Sequence, residues 1–94
     1  MESRFVKAVV DCGRIMRGGA VEGVFMAKPG VEVLKADGGC TCGGMPRVRF
    51  EIDGEVVRFS TVAKEINGRH VVMRPVTVDG SGWKQVLYIK YEVV

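Results

Sequence analysis

Arg47-Val48-Arg49-Phe50-Glu51-Ile52-Asp53-Gly54-Glu55-Val56-Val57-Arg58-Phe59 reads as two strands and the turn that joins them. From Arg47 to Ile52 polar and apolar residues alternate strictly. Side chains of an extended chain point to opposite faces in turn, so Val48, Phe50 and Ile52 share one face and Arg47, Arg49 and Glu51 the other. Asp53-Gly54 has the composition of a two-residue hairpin turn. A turn on those two residues predicts Phe50 opposite Val57 and Val48 opposite Phe59, all on the buried face. It also sets Arg49 opposite Arg58 on the outer face.

The same rhythm extends in both directions. Strands are expected over Arg4 to Asp11, with Gly13 interrupting and Ile15-Met16 continuing, then over Val21 to Lys28 and Val31 to Ala36. Beyond the hairpin they are expected over Glu55 to Val62, Arg69 to Val78 and Trp83 to Val93. Gly18-Gly19, Pro29-Gly30 and Gly80-Ser81-Gly82 supply turns and loops between them. No long segment has apolar residues at helical spacing. About seven short strands with turn signals at this spacing predict an all-β antiparallel sandwich or barrel filling one domain, residues 1–94. Asn67-Gly68 would suit a tight hairpin and a simple meander. A sandwich instead needs Ala63 to Gly68 to cross between sheets, and that is the expectation adopted.

Composition agrees. The chain has 94 residues, 47% of them apolar, enough for a core in a domain of this size. Its 13 glycines are scattered without period, as turns require. The formal charge of +3, from 14 Lys and Arg against 11 Asp and Glu, is too small to imply nucleic acid by itself. No apolar run is long enough to span a bilayer. No export signal is read at the N-terminus, so the expected location is the cytoplasm or an assembled particle.

In its order of motifs the chain resembles a bacterial Ig-like family of unknown function that carries a Cys-Gly-Cys-Thr signature, related to Hydin-type and sperm-protein-like Ig domains. The resemblance rests on Asp11-Cys12-Gly13-Arg14-Ile15-Met16-Arg17-Gly18, where the family has Asp-Phe-Gly-x-Ile followed shortly by Gly. It continues through Val21 to Lys28, Pro29-Gly30, Val31 to Ala36 and Cys40-Thr41-Cys42. The later segments Gly54 to Phe59, Gly68 to Val78 and Val86 to Val94 follow in the same order. Two departures are plain: Cys12 replaces the family's aromatic residue, and Cys-Thr-Cys replaces Cys-Gly-Cys-Thr. The resemblance implies an Ig-like β-sandwich. Most members of the family resemble exported proteins; a single domain without an export signal looks more like a component of a phage particle or another assembly.

Few residues could carry chemistry. Cys40 and Cys42, with Cys12 or His70, would form a soft donor set for Zn or Cu(I). One residue between the cysteines and no second pair depart from the usual zinc spacing, so free thiols are the competing reading. A Cys40–Cys42 bridge would be strained, leaving Cys12 as the better disulfide partner for either. No nucleophile motif accompanies His70, the single histidine. The glycines around the cysteines lack the Lys and the helix of a phosphate loop. Tyr88 and Tyr91 are three apart on one strand and face opposite ways, so they form no stacking platform for bases.

Arg47, Arg49 and Arg58 remain. Like charges opposed across a strand pair are unfavourable. Glu51 or an acidic partner would relieve them, and a solvated basic face is the plain alternative. The expectation is therefore a non-enzymatic structural or interaction module without a cofactor, in concrete form a virion accessory or decoration protein. Its partner would be a protein, such as capsid or other assembly subunits, with a homo-oligomer as a further state; membrane and nucleic acid are not expected. The alternative is a thiol-dependent metal or redox protein using Cys12, Cys40 and Cys42.

Overall fold

The computed structural model describes residues 3–38, 47–64, 66–78 and 83–94, and of Trp83 the backbone. These residues form eight strands: β1 (Phe5–Lys7), β2 (Val9–Ile15), β3 (Ala20–Ala27), β4 (Val33–Ala36), β5 (Arg49–Asp53), β6 (Val56–Val62), β7 (Gly68–Val78) and β8 (Trp83–Val93). No helix occurs among them, and so none long and apolar enough to cross a membrane. One sheet has the order β1-β3-β6-β5 and the other β2-β8-β7-β4. With β1 and β2 read as one divided strand, this is the strand order of an immunoglobulin-type sandwich.

The eighth strand arises because the first expected segment is divided. Phe5 to Lys7 pair with β3 in one sheet. After Ala8 the chain changes layer and pairs with β8 in the other. The β2·β8 pair is parallel, the exception in an otherwise antiparallel sandwich. Hydrogen bonds from Tyr88 N to Ala8 O (2.9 Å) and from Val94 N to Ile15 O (3.0 Å) bracket it. Gly13 does not end the strand. It sits in a bulge, because Asp11 opposes Lys90 and Arg14 opposes Glu92, leaving one extra residue on β2. Its φ of +72° suits glycine, and Asp11 Oδ1 accepts its N–H at 2.9 Å.

The β5–β6 hairpin corrects the expected register. Ile52 opposes Val57, Phe50 opposes Phe59 and Asp53 opposes Val56, so Gly54-Glu55 is the turn, with Gly54 at φ +60°. The shift is two residues, which leaves every side chain on its expected face. It removes the Arg49–Arg58 opposition: Arg58 faces Glu51, and Arg49 faces Ser60. Val48 is buried and Phe50 half-buried, whereas Ile52, next to the turn, is exposed. The connection after Val62 crosses between the sheets, as a sandwich requires. Ala63 is buried at that crossing; its N–H donates to Gly19 O (3.0 Å), and its carbonyl accepts from Gly18 N (2.7 Å).

Inward-facing residues of both sheets make one core. Phe25 and Phe59 stack in it with ring centroids 5.0 Å apart, surrounded by Val10, Val21, Val57, Leu87 and Ile89. Gly23 makes this possible: a Cβ there would lie 2.7 Å from the Phe59 ring.

Candidate interaction face

Arg47, Arg49 and Arg58 are all exposed, and Arg49 and Arg58 share the outer face of β5 and β6 with acids. On the β3-β6-β5 face the register sets Glu22 and Arg49 on either side of Ser60, and Val24 and Glu51 on either side of Arg58. Arg58 Nη1 also lies 3.8 Å from Asp53 Oδ2. An open depression of ≈ 670 Å³ here is lined by Arg49, Arg58, Glu22 and Glu51, two charges of each sign. On a solvated surface of this kind, neighbouring charges of opposite sign screen one another.

The remaining chemical candidates are dispersed. Cys12 is half-buried on β2, and its thiol lies 3.6 Å from the carbonyl oxygen of Glu22 in the opposite sheet. Burial pushes this thiol above its ordinary value; Asp11 adds to the effect and Lys7 opposes it. His70 lies on β7 opposite Tyr91, rings 5.8 Å apart. Its Nε2 lies 2.7 Å from Ile66 O, and since a carbonyl only accepts, Nε2 carries the proton. Strand β8 runs between Cys12 and His70, so the two do not share a donor set. Among the described residues no three His, Cys, Asp or Glu side chains gather at metal-binding distance. Cys40 and Cys42 lie outside the described residues, as do Gly80-Ser81-Gly82 and the Trp83 side chain.

A raised thiol value means less thiolate, the form that reacts with alkylating agents. The Cys12 peptide is therefore expected to take up iodoacetamide several-fold more slowly at pH 8 in the native protein than in urea, as read by mass spectrometry. Equal rates would show the thiol to be unprotected.

Gly38 and Val48, on either side of residues 39–46, are held from within. Arg74 is 5% exposed and points into the sandwich. Its Nε donates to Gly38 O (3.1 Å) and its Nη1 to Met73 O (2.7 Å). Val48 N donates to the same Gly38 carbonyl (2.9 Å). Gly38 must be glycine, because a Cβ would overlap the Val48 carbonyl oxygen.

The outer face of β2-β8-β7-β4 is different in kind. Its register gives successive rows: Lys35–Thr77–Lys84, Pro75–Val86, Met73–Tyr88–Val9, Val71–Lys90–Asp11 and Arg69–Glu92–Arg14. The second and third rows are apolar, with Met73, Val9 and Val86 exposed and Tyr88 and Pro75 half-buried, and Val71 extends them into the fourth row beside Lys90 and Asp11. Met73 is 57% exposed and Val71 54%, although β7 is an interior strand of the sheet, and Val9 on the edge strand β2 is 45% exposed. A solvated sheet face ordinarily alternates to polar side chains. Cations stand toward both ends: Lys35 and Lys84 in the first row, and Lys90, Arg69 and Arg14 in the last two. Glu92 is engaged with Arg14 (3.6 Å), and Asp11 takes the Gly13 N–H. Lys35, Arg69, Lys84 and Lys90 make no ion pair among the described residues.

Sequence reasoning missed both Arg74 and this strip, for one reason. In β7 the charged Arg74 points inward while Val71 and Met73 point outward, the reverse of what polarity suggests. The usable signal was weak: from Val71 to Val78 apolar residues occupy both parities of a strand.

Compared with known proteins, the chain matches no family model, no curated protein and no solved structure.

Proposed function

We propose that the chain is a non-enzymatic structural and interaction module, in its most concrete form an accessory or decoration subunit of a phage particle or another large assembly. The observation that carries the module reading is the apolar strip Val9–Tyr88–Met73, with Val71 and Val86, on the outer face of β2, β8 and β7 in a finished sandwich. The buried core is made by the inward faces, so what this strip leaves exposed costs hydration. Contiguous exposed apolar surface with a polar rim is the mark of a docking surface. The assembly part of the reading is supported by fold-level analogy and by the likeness in motif order to Ig-like domains.

The test is co-sedimentation. Tagged wild-type chain is mixed with density-banded particles of the virus or assembly encoded beside its gene and centrifuged again. Wild type is expected to band with the particles and Met73→Asp to remain at the top. Met73 is more than half exposed, so this variant should fold normally. Wild type left at the top defeats the assembly reading. Both proteins banding together moves the contact off the strip.

A further inference from the structure

Resting on that docking reading, we infer that the outer β2-β8-β7 face takes an acidic protein partner: one that presents a small apolar projection ringed by Asp or Glu side chains, and not a second copy of this chain. The argument is the arrangement of charge around the strip. Lys35 and Lys84 close one end, and Lys90 and Arg69 the other. Acids stand among them but do not cancel them: the far end sets Arg14, Arg69 and Lys90 against Asp11 and Glu92, and the near end sets Lys35 and Lys84 against Asp37, so cations are in excess at both. The opposite face of the sandwich balances Arg49 and Arg58 with Glu22 and Glu51, so the excess at the strip is local. Two copies stacked strip to strip would bring these cationic ends against each other in either relative direction, because both ends have the same sign. Like-charge juxtaposition of that kind rejects a partner. An acidic rim meets both ends favourably, while the centre buries Met73, an unbranched and adaptable side chain, beside Tyr88.

Two measurements test this. Sedimentation velocity of the full chain at low salt, from micromolar to sub-millimolar concentration, is expected to show monomer. A dimer that Met73→Asp disperses would make a second copy the occupant and overturn the inference. The second is a random-peptide phage display selection on the immobilised full chain, with Met73→Asp as counter-target. Enriched peptides are expected to combine Asp or Glu with Leu or an aromatic residue. Their affinity for the Lys84→Glu/Lys90→Glu double variant should fall about tenfold and should weaken with added salt. Peptides that require Met73 but carry no acidic excess, and that ignore the charge reversal, would sink the acidic partner and leave the docking surface standing. A selection that yields no Met73-dependent peptide would remove the docking surface itself.

Discussion

Phe25→Ala is expected to lower the unfolding free energy by about 3–5 kcal/mol, a large part of the total for a domain of this size. Phe25 is fully buried at the centre of the core, and its ring packs 5.0 Å from that of Phe59. Truncation loses the transfer energy of the ring and leaves a void. The void cannot close readily. Phe59 is seated over Gly23, and the β3–β6 ladder runs unbroken from Ala20 against Val62 to Met26 against Val56. Urea unfolding followed by Trp83 fluorescence should show the midpoint falling at nearly constant slope. Val6→Ala, at a position 68% exposed on β1, should stay within about 0.5 kcal/mol of wild type. A Phe25→Ala loss below about 1 kcal/mol would mean that the two sheets do not close on this ring.

Arg74→Met should cost about 2 kcal/mol by the same measurement, from two charge-assisted hydrogen bonds to carbonyls lost with little change in volume. The damage should be local first. Arg74 ties Gly38 to β7, and Asp37 N donates to Pro75 O (3.1 Å) beside it. Amide exchange at Asp37 and Val48 should therefore accelerate more than exchange at Phe25 or Val57. Arg74→Lys should recover only part of the loss, because an ammonium cannot serve two carbonyls from one rigid plane as a guanidinium does. A stabilised Arg74→Met protein would mean that the cost of burying the charge exceeds what its hydrogen bonds return.

Most of the strand map was legible in the sequence, because it depends on near neighbours. The alternation of Arg47 to Ile52, the Pro29-Gly30 turn and the long segments ending at Val78 and Val93 all read out within a residue or two. The choice of a crossing after Val62 over an Asn67-Gly68 hairpin was also right, and it came from fold logic, not from the turn residues. The β5–β6 register was not legible. Turns on Asp53-Gly54 and on Gly54-Glu55 leave the same side chains buried, so alternation cannot separate them. The pairing of Asp53 with Val56 is what distinguishes the two in the structure. The expected Arg49–Arg58 opposition failed on that same shift of two residues, which brought Glu51 opposite Arg58.

The sequence by itself determined that the chain is extended, where it turns and which parity of each early strand is apolar, since these follow from period-two patterning and local backbone preference. Only the tertiary structure decided that the first segment divides at Ala8 between two layers, that Arg74 lies inside and that Met73, Tyr88 and Val9 meet in one uncovered row. Those outcomes join residues distant along the chain. They are set by which strands pair and which face the second layer covers, and no local pattern carries that information.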